Sequence, residues 1–205
     1  MTISVIGLNH KSANIDIRGK FSFTPDSASL LLRRIKKLND ISEVIVVSTC
    51  NRTEIYCESS NGVDDIRNWL LSDKEYKPFA KHLYMHQEED AIEHLFKVVA
   101  GLDSMVIGEN EVLGQVKAAY KIALDNKSID GKLKRLFEYS FSVAKNVRTN
   151  TDIGGNAISF MYTSILLIKK IFSAVEEKKC LLIGAGEMTE LALKYLKSNN
   201  VNDIT

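Results

Sequence analysis

Residues 44–58 read Val44-Ile45-Val46-Val47-Ser48-Thr49-Cys50-Asn51-Arg52-Thr53-Glu54-Ile55-Tyr56-Cys57-Glu58. The first four are aliphatic and β-branched, which is typical of a buried strand, and residues 54–58 alternate as a half-exposed strand does. Cys50 therefore follows a strand and precedes Arg52 by two residues. A neighbouring cation lowers the pKa of a thiol and favours the nucleophilic thiolate. Cys50 is thus a candidate nucleophile, and the alternative is a buried small residue beside a structural salt bridge.

The segments around these two strands predict the order β-α-β-β-α-β. Residues 3–8 form a short apolar strand, and Thr24-Pro25-Asp26 begins a helix with an N-cap threonine and a proline in the first turn. A second helix is expected around residues 63–71, and residues 83–85 are a candidate last strand. This order is that of a ferredoxin-like split βαβ unit within an α/β protein.

From about Glu88 onward the apolar residues recur at helical spacing. Residues 161–172 are apolar nearly all round, which indicates a helix buried between its neighbours. The three earlier stripes consist of Ile92, Leu95, Phe96 and Val99; of Val112, Val116, Ala119, Tyr120 and Ala123; and of Leu133, Leu136, Phe137, Ser140, Ala144 and Val147.

The last part of the chain predicts a strand at residues 180–183, a tight turn at residues 184–186 and a helix at residues 187–197. These are the first β-α elements of a Rossmann-type domain, which needs about 150 residues in full. We therefore expect the sequence to be a fragment that ends early in that domain. The predicted division is a catalytic domain at 1–155, a connecting helix at 156–177 and an incomplete dinucleotide-binding domain at 178–205.

Composition narrows the class of protein. The 205 residues are 45% hydrophobic and 26% charged, as in a globular protein with a real core, and the net charge of +1 gives no global attraction to nucleic acid. Three cysteines and no secretory signal indicate a reducing cytoplasm. The four histidines fit no metal-binding spacing, and no apolar run approaches the ~20 residues of a membrane span.

Two glycine motifs are compatible with binding. Gly184-x-Gly186-x-x-Thr189 departs from G-x-G-x-x-G at its third position, but a strand enters it and a helix leaves it, as pyrophosphate binding requires. An ordinary βα turn is the alternative. The loop 101–109 has glycines near both ends and can line a cleft, although routine helix caps explain it equally well.

Five motifs occur together in one order. They are Gly7-Leu8-Asn9-His10-Lys11-Ser12-Ala13, Ser48-Thr49-Cys50-Asn51-Arg52-Thr53-Glu54, Gly101-Leu102-Asp103-Ser104-Met105-Val106-Ile107-Gly108-Glu109, Gly114-Gln115-Val116-Lys117 and Gly184-Ala185-Gly186-Glu187-Met188. Over almost its whole length the chain resembles the glutamyl-tRNA reductase family. The resemblance implies reduction of glutamyl-tRNA to glutamate-1-semialdehyde with NADPH, the first committed step of the five-carbon route to tetrapyrroles.

The resemblance also implies residue roles. Cys50 attacks the ester of glutamyl-tRNA and forms a glutamyl thioester, which hydride from NADPH then reduces. His94 is implied to lie near the nucleophile and to support it, whereas its position at the edge of an apolar stripe is more typical of a boundary residue. Arg52 is implied to hold the substrate carboxylate. The substrate pocket is implied to contain Thr49, Asn51, Arg52, Ser104, Glu109, Glu111, Gln115 and Ser159, and the NADPH site Gly184, Ala185, Gly186, Glu187, Met188 and Thr189.

The chain departs from the family pattern at Glu111, where a glutamine is common, and a carboxylate there could repel that of the substrate. The implied partners are glutamyl-tRNA, a second copy in a full-length homodimer and, as a candidate, the aminotransferase that takes the semialdehyde; neither membrane nor metal is expected. We expect the chain alone to be unable to complete the reduction. The alternatives are a non-catalytic tRNA- or protein-binding module on the same fold and another NAD(P) oxidoreductase.

Overall fold

The computed structural model describes residues 1–109, 111–155, 160–172 and 174–205, and the chain divides into two compact units, Met1–Gly155 and Asn156–Thr205. The first unit contains an antiparallel sheet with strand order β2-β3-β1-β4. Its strands are β1 at Thr2–Asn9, β2 at Ile41–Ser48, β3 at Arg52–Ser59 and β4 at Tyr84–Gln87. The mixed α/β class and the predicted ferredoxin-like order are therefore confirmed.

The helices of the first unit follow the predicted stripes, with two short additions at Ile15–Lys20 and Asp152–Gly155. Ile15–Lys20 is a helix of six residues that the apolar pattern did not indicate, and the Asn14 side chain caps it by accepting a hydrogen bond from the Ile17 amide at 3.1 Å. A 3-10 helix lies at Lys77–His82. The helices are α1 at Ile15–Lys20, α2 at Pro25–Ile35, α3 at Val63–Ser72, α4 at Glu88–Val99, α5 at Glu111–Asp125, α6 at Lys132–Asn150 and α7 at Asp152–Gly155.

Helices cover both faces of the central strand β3. The ring of Tyr56 packs edge-on against Phe137 of α6, with 5.2 Å between ring centroids, and α3 also packs against β3. All eight residues of β3 are buried, so the prediction of a half-exposed strand is wrong. The alternating pattern suggested that Glu54 and Glu58 face water, but both face helices. A charged side chain can be buried in this way when it has partners.

The N-terminus of α6 is capped by a carboxylate from β2 instead of by a residue of its own chain segment. Glu43 accepts hydrogen bonds from the amides of Asp130, Gly131 and Leu133, each at 2.7 Å. Burial alone would raise the pKa of Glu43, but these amides lower it. The contact fixes where the long helix α6 begins relative to the sheet.

The second unit contains α8 at Phe160–Ile171, a 3-10 helix at Val175–Glu177 and α9 at Glu187–Ser198. The predicted strand at 180–183 is reduced to a single parallel bridge between Cys180 and Ile204. The small core of this unit consists of Ile165, Val175, Leu196 and Val201.

The prediction that the helix at 161–172 is buried is wrong for this structure. Leu167 is 57% exposed and Ile171 is 63% exposed. The small core of the second unit takes up only part of the apolar surface of α8, with Ile165 buried in it and Ile168 packed against it. None of the described helices is both long and apolar enough to cross a membrane.

Candidate active site

Cys50 lies at the tip of the turn between β2 and β3. Thr49 closes the turn, because its amide donates to the Arg52 carbonyl at 2.8 Å and its hydroxyl accepts from the amides of Asn51 and Arg52 at 3.2 and 3.1 Å. The His10 amide at the end of β1 donates to the Asn51 carbonyl at 2.9 Å. The backbone is therefore held on both sides of Cys50, and the cysteine itself is exposed.

Arg52 points into the unit and is only 1% exposed. Its Nη1 donates to Glu54 Oε1 at 2.7 Å, and its Nη2 donates to Asp103 Oδ2 at 2.9 Å and to the Asp103 carbonyl. Burial alone would lower the pKa of Arg52, but Glu54 raises it well above its usual range. Because two carboxylates of the protein already bind the guanidinium, a role in holding a substrate carboxylate stays a prediction.

Glu54 is fully buried and accepts hydrogen bonds from several side chains at once. Oε1 accepts from Arg52, from the Tyr84 hydroxyl and from His94 Nε2 at 2.8 Å, and Oε2 accepts from the Tyr56 hydroxyl at 2.7 Å. Burial by itself would raise the pKa of Glu54, but Arg52 and His94 lower it well below its usual range. Glu54 is therefore an anion in the interior, stabilised by its donors.

His94 belongs to this buried group. With Glu54 ionised, His94 Nε2 carries the proton that it donates, and the ring packs against those of Tyr84 and His86. Within the described ranges, no hydrogen bond joins His94 to Cys50. The predicted support of the nucleophile by His94 stays a prediction.

The charges that act on the Cys50 sulfur are mostly negative. Although Cys50 is exposed as a residue, desolvation of its sulfur by the surrounding protein and the carboxylate of Glu109 raise its pKa, and Glu111 adds to the effect. A backbone hydrogen bond and, less strongly, Arg18 oppose this rise. The prediction that Arg52 favours the thiolate is therefore wrong, because β3 directs that guanidinium toward Glu54 and Asp103. Burial and Glu109 also raise the pKa of Glu111.

Arg18 is one of the site residues that the sequence reasoning missed, with Asp103 and Tyr84. It lies on α1, its Nε donates to the Cys50 carbonyl at 3.3 Å and its Nη1 donates to the Ala13 carbonyl at 2.8 Å. The sequence offered little signal for it, since Arg18 lies 32 residues before the cysteine in a segment for which no helix was predicted.

The loop 101–109 reaches the site through Asp103, which binds Arg52, and through Glu109, whose charge acts on Cys50. Gly101 and Gly108 have φ of 77° and 83°, which L-residues rarely adopt, and the Gly108 amide donates to the Gly101 carbonyl at 3.0 Å. Arg148 of α6 donates to the Glu109 carbonyl at 2.6 Å. The loop is thus anchored from α6 as well as through Asp103, and its Ser104 and Glu109 are buried.

The remaining predicted pocket residues are distributed less evenly. Thr49 and Asn51 flank Cys50 in the chain. Glu111 begins α5, and its charge raises the pKa of Cys50. Gln115, one turn further along α5, lines a cavity of about 130 Å³ with Ser48 and Phe23. Ser159 lies outside the described residues.

The predicted cofactor residues form the turn before α9. Gly184 has a φ of 116°, which suits glycine, and residues 184–186 are exposed. A side chain at Gly186 would meet nothing within 4 Å, and one at Gly184 would come within 3.6 Å of Thr189 Oγ1. A pyrophosphate can therefore approach the backbone at the start of α9, with Ala185 between the two glycines. The side chains of Glu187 and Met188 lie outside the described part of the structure.

Family models match both parts of the chain. The model described as glutamyl-tRNAGlu reductase, N-terminal domain, matches residues 6–151. The model described as shikimate / quinate 5-dehydrogenase matches residues 166–205.

Individual relatives agree with the first match. The chain is 42% identical over 206 residues to a glutamyl-tRNA reductase of Idiomarina loihiensis, with 100% of this chain and 49% of the relative covered. One from Aliivibrio fischeri is 42% identical over 200 residues, with 96% and 48% covered. A solved structure of glutamyl-tRNA reductase from Methanopyrus kandleri superposes with a TM-score of 0.65 at 26% identity, with 98% and 48% covered. The chain thus spans about half the length of these relatives.

Proposed function

The chain belongs to the glutamyl-tRNA reductase family, and from this we propose that its first unit takes the glutamyl group from glutamyl-tRNA onto Cys50. The proposed overall reaction is the NADPH-dependent reduction of glutamyl-tRNA to glutamate-1-semialdehyde in tetrapyrrole biosynthesis.

The observation that carries the proposal is the contrast between the two cysteines of the first unit. Cys50 is exposed at the tip of a tightly held turn, whereas Cys57 is fully buried and its burial raises its pKa to about 12. A bulky acylated tRNA can reach only an exposed sulfur. Cys180, the remaining cysteine, lies in the second unit.

The acyl transfer requires a thiolate at Cys50. Its sulfur attacks the ester carbonyl carbon, a C–S bond forms, and the C–O bond to the tRNA breaks, so that the 3′-terminal oxygen leaves and takes up a proton. A thioester accepts hydride more readily than an oxygen ester, so the covalent step divides a difficult reduction into two easier ones. When bound, the nicotinamide cofactor supplies that hydride.

The acidic residues around Cys50 disfavour its thiolate in the free enzyme but can bind a positively charged group of the substrate. The glutamyl group carries a free α-ammonium next to the ester, and Glu109 and Glu111 are the carboxylates whose charges raise the pKa of Cys50. We assign the ammonium to these two side chains. Its positive charge offsets their effect on the thiol, so substrate binding itself lowers the pKa of Cys50.

Arg52 and His94 act from within the buried group around Glu54. For Arg52 to bind the substrate carboxylate, Asp103 must give up its hydrogen bond to Nη2, which couples carboxylate binding to the loop 101–109. His94 is held by Glu54 and is proposed to support Cys50 from this group. Thr49, Asn51, Ser104 and Gln115 complete the proposed pocket.

The cofactor site is proposed at the turn Gly184–Thr189. Its support is the accessible backbone at the start of α9 and the dehydrogenase family model that matches residues 166–205. In this assignment glutamyl-tRNA is the substrate, a homodimer and the semialdehyde-consuming aminotransferase are the proposed partners, and the cytoplasm, where thiols stay reduced, is the compartment.

One observation favours a second candidate function. The raised pKa of Cys50 leaves little thiolate at neutral pH in the free protein, as in a module that binds tRNA without reacting. The two candidates differ in whether glutamate leaves the tRNA.

A single-turnover experiment separates them. The chain is incubated with tRNA that carries labelled glutamate, and the label remaining on the tRNA is measured beside tRNA binding. We expect transfer by the wild type and by Cys180→Ser, and binding without transfer by Cys50→Ser. Transfer by Cys50→Ser at the wild-type rate would overturn the assignment of the nucleophile, and binding without transfer by the wild type would favour the second candidate.

A further inference from the structure

Arg18 joins two backbone segments at the candidate site. From α1 its guanidinium donates through Nε to the Cys50 carbonyl at 3.3 Å and through Nη1 to the carbonyl of Ala13, a buried residue just before α1, at 2.8 Å. The planar guanidinium presents these donors in a fixed geometry, so it ties the cysteine turn to the start of α1.

We propose that Arg18 is a positioning residue for Cys50: it holds the turn at residues 49–51 in place and provides the positive charge that faces the cysteine. The inference deepens the proposed function, since it assumes that Cys50 is the reacting group. It assigns to a residue on α1 the electrostatic role that chain proximity suggested for Arg52.

The positions of the charged groups around Cys50 support the assignment. They come from three elements: Arg18 from α1, Glu109 from the loop 101–109 and Glu111 from α5. Both carboxylates raise the pKa of the thiol, and Arg18 lowers it. The guanidinium of Arg52, by contrast, is bound by Glu54 and Asp103. Among the described residues, Arg18 is therefore a cation that partly offsets the two carboxylates.

Arg18 also keeps a donor for an anion. Its Nε and Nη1 bind the two carbonyls, and across the part of the chain that the structure describes its Nη2 makes no hydrogen bond. Arg18 is partly exposed, so a ligand can reach it. An anionic group that approaches Cys50 can therefore meet Nη2 of Arg18, whereas it is repelled by Glu109 and Glu111.

Alkylation of Cys50 measures both effects without any substrate. Iodoacetamide is neutral and iodoacetate is an anion, so the pH dependence of either rate reports the thiolate and the ratio of the two rates reports the local charge. For Arg18→Gln we expect about threefold slower alkylation by iodoacetamide at pH 7 and a pH profile moved to higher pH. The iodoacetate-to-iodoacetamide ratio should fall by a similar factor.

Lys20→Gln is the matched control, since it removes one positive charge from the same helix at an exposed position. Its pH profile and rate ratio should stay at the wild-type values. Equal behaviour of Arg18→Gln and Lys20→Gln would overturn the proposal. Buried Cys57 reports folding in the same experiment, because it reacts only if the unit opens.

Arg18→Lys provides a second test that holds even if Arg18→Gln exposes Cys57. Lysine keeps the charge but cannot bind both carbonyls at once, so the turn should become more mobile. The His10 amide, which donates to the Asn51 carbonyl, should then exchange its hydrogen with solvent faster. An unchanged exchange rate would overturn the positioning role. These outcomes are independent of transfer from glutamyl-tRNA, so failure of the proposed function would be recognised separately.

Discussion

Glu54 is the residue around which the polar side chains of Arg52, Tyr56, Tyr84 and His94 are arranged. It binds Arg52 from its own strand, Tyr84 from β4 and His94 from α4, and so connects three elements of the first unit. A carboxylate without these donors would be strongly destabilised in the interior. The arrangement therefore depends on every partner being present.

Replacing Glu54 should destabilise the unit. In Glu54→Gln the buried Arg52 loses its closest anion, and removal of one partner from a buried ion pair costs about 3–5 kcal/mol. Urea unfolding followed by circular dichroism measures the change. Glu93→Gln removes a carboxylate from the exposed pair with Lys97 on α4 and should leave the unfolding midpoint nearly unchanged. Equal midpoints for the two variants would contradict the role given to Glu54.

At the level of single residues, the sequence located the cysteine but not its electrostatics. The motif around Cys50 predicted the end of a strand, which the structure confirms at Ser48, and a candidate nucleophile, which stays a prediction at an exposed position. Proximity along the chain suggested Arg52 as the activating cation. Strand alternation instead places Arg52 on the same face as Glu54, and the charges that shift the pKa of Cys50 come from residues 18, 109 and 111, which only the fold brings together.

Among the elements, the contact between Glu43 and α6 has a testable energetic consequence. Glu43→Ala leaves the first amides of α6 without their acceptor, and we expect a loss of about 2–4 kcal/mol in the free energy of unfolding. Hydrogen exchange at Gly131 and Leu133 should accelerate.

Asn14→Ala removes a cap of the ordinary local kind, from the exposed helix α1, and should cost only about 0.5–1 kcal/mol. If Glu43→Ala costs no more than Asn14→Ala, then the β2 carboxylate does not determine where α6 begins.

The elements that were predicted correctly are those with local signals. Thr24 caps α2 as its sequence indicated, accepting from the Ser27 amide at 3.3 Å. The helix α1 was missed because six residues are too short for a periodic apolar stripe. The exposure of β3 was misjudged because helices cover both of its faces. The polar residues that alternate along it include Glu54 and Glu58, which are buried carboxylates paired with cations.

For the whole molecule, the buried carboxylates predict loss of stability in acid. The folded pKa values of Glu43 and Glu54 lie below the unfolded value of about 4.3. Their contribution to the free energy of unfolding is therefore complete above that pH and is lost as the pH falls below it. The urea midpoint should decrease between pH 5 and pH 3.

The Glu43→Gln variant tests the origin of this pH dependence. It removes one of the titrating groups and keeps an acceptor oxygen for α6, so the midpoint should decrease less steeply over the same pH range. If the urea midpoint of the variant decreases with pH as steeply as that of the wild type, then Glu43 is not the source of the pH dependence.

The central claim is that Cys50 accepts the glutamyl group, and the most direct test is to locate that group on the protein. The chain is mixed with glutamyl-tRNA, quenched in acid, digested and examined by mass spectrometry. We expect the mass of one glutamyl group on the peptide that contains Cys50, released by hydroxylamine as a thioester is, and no such mass in Cys50→Ser. An adduct on another residue, or no adduct although glutamyl-tRNA binds, would contradict the account.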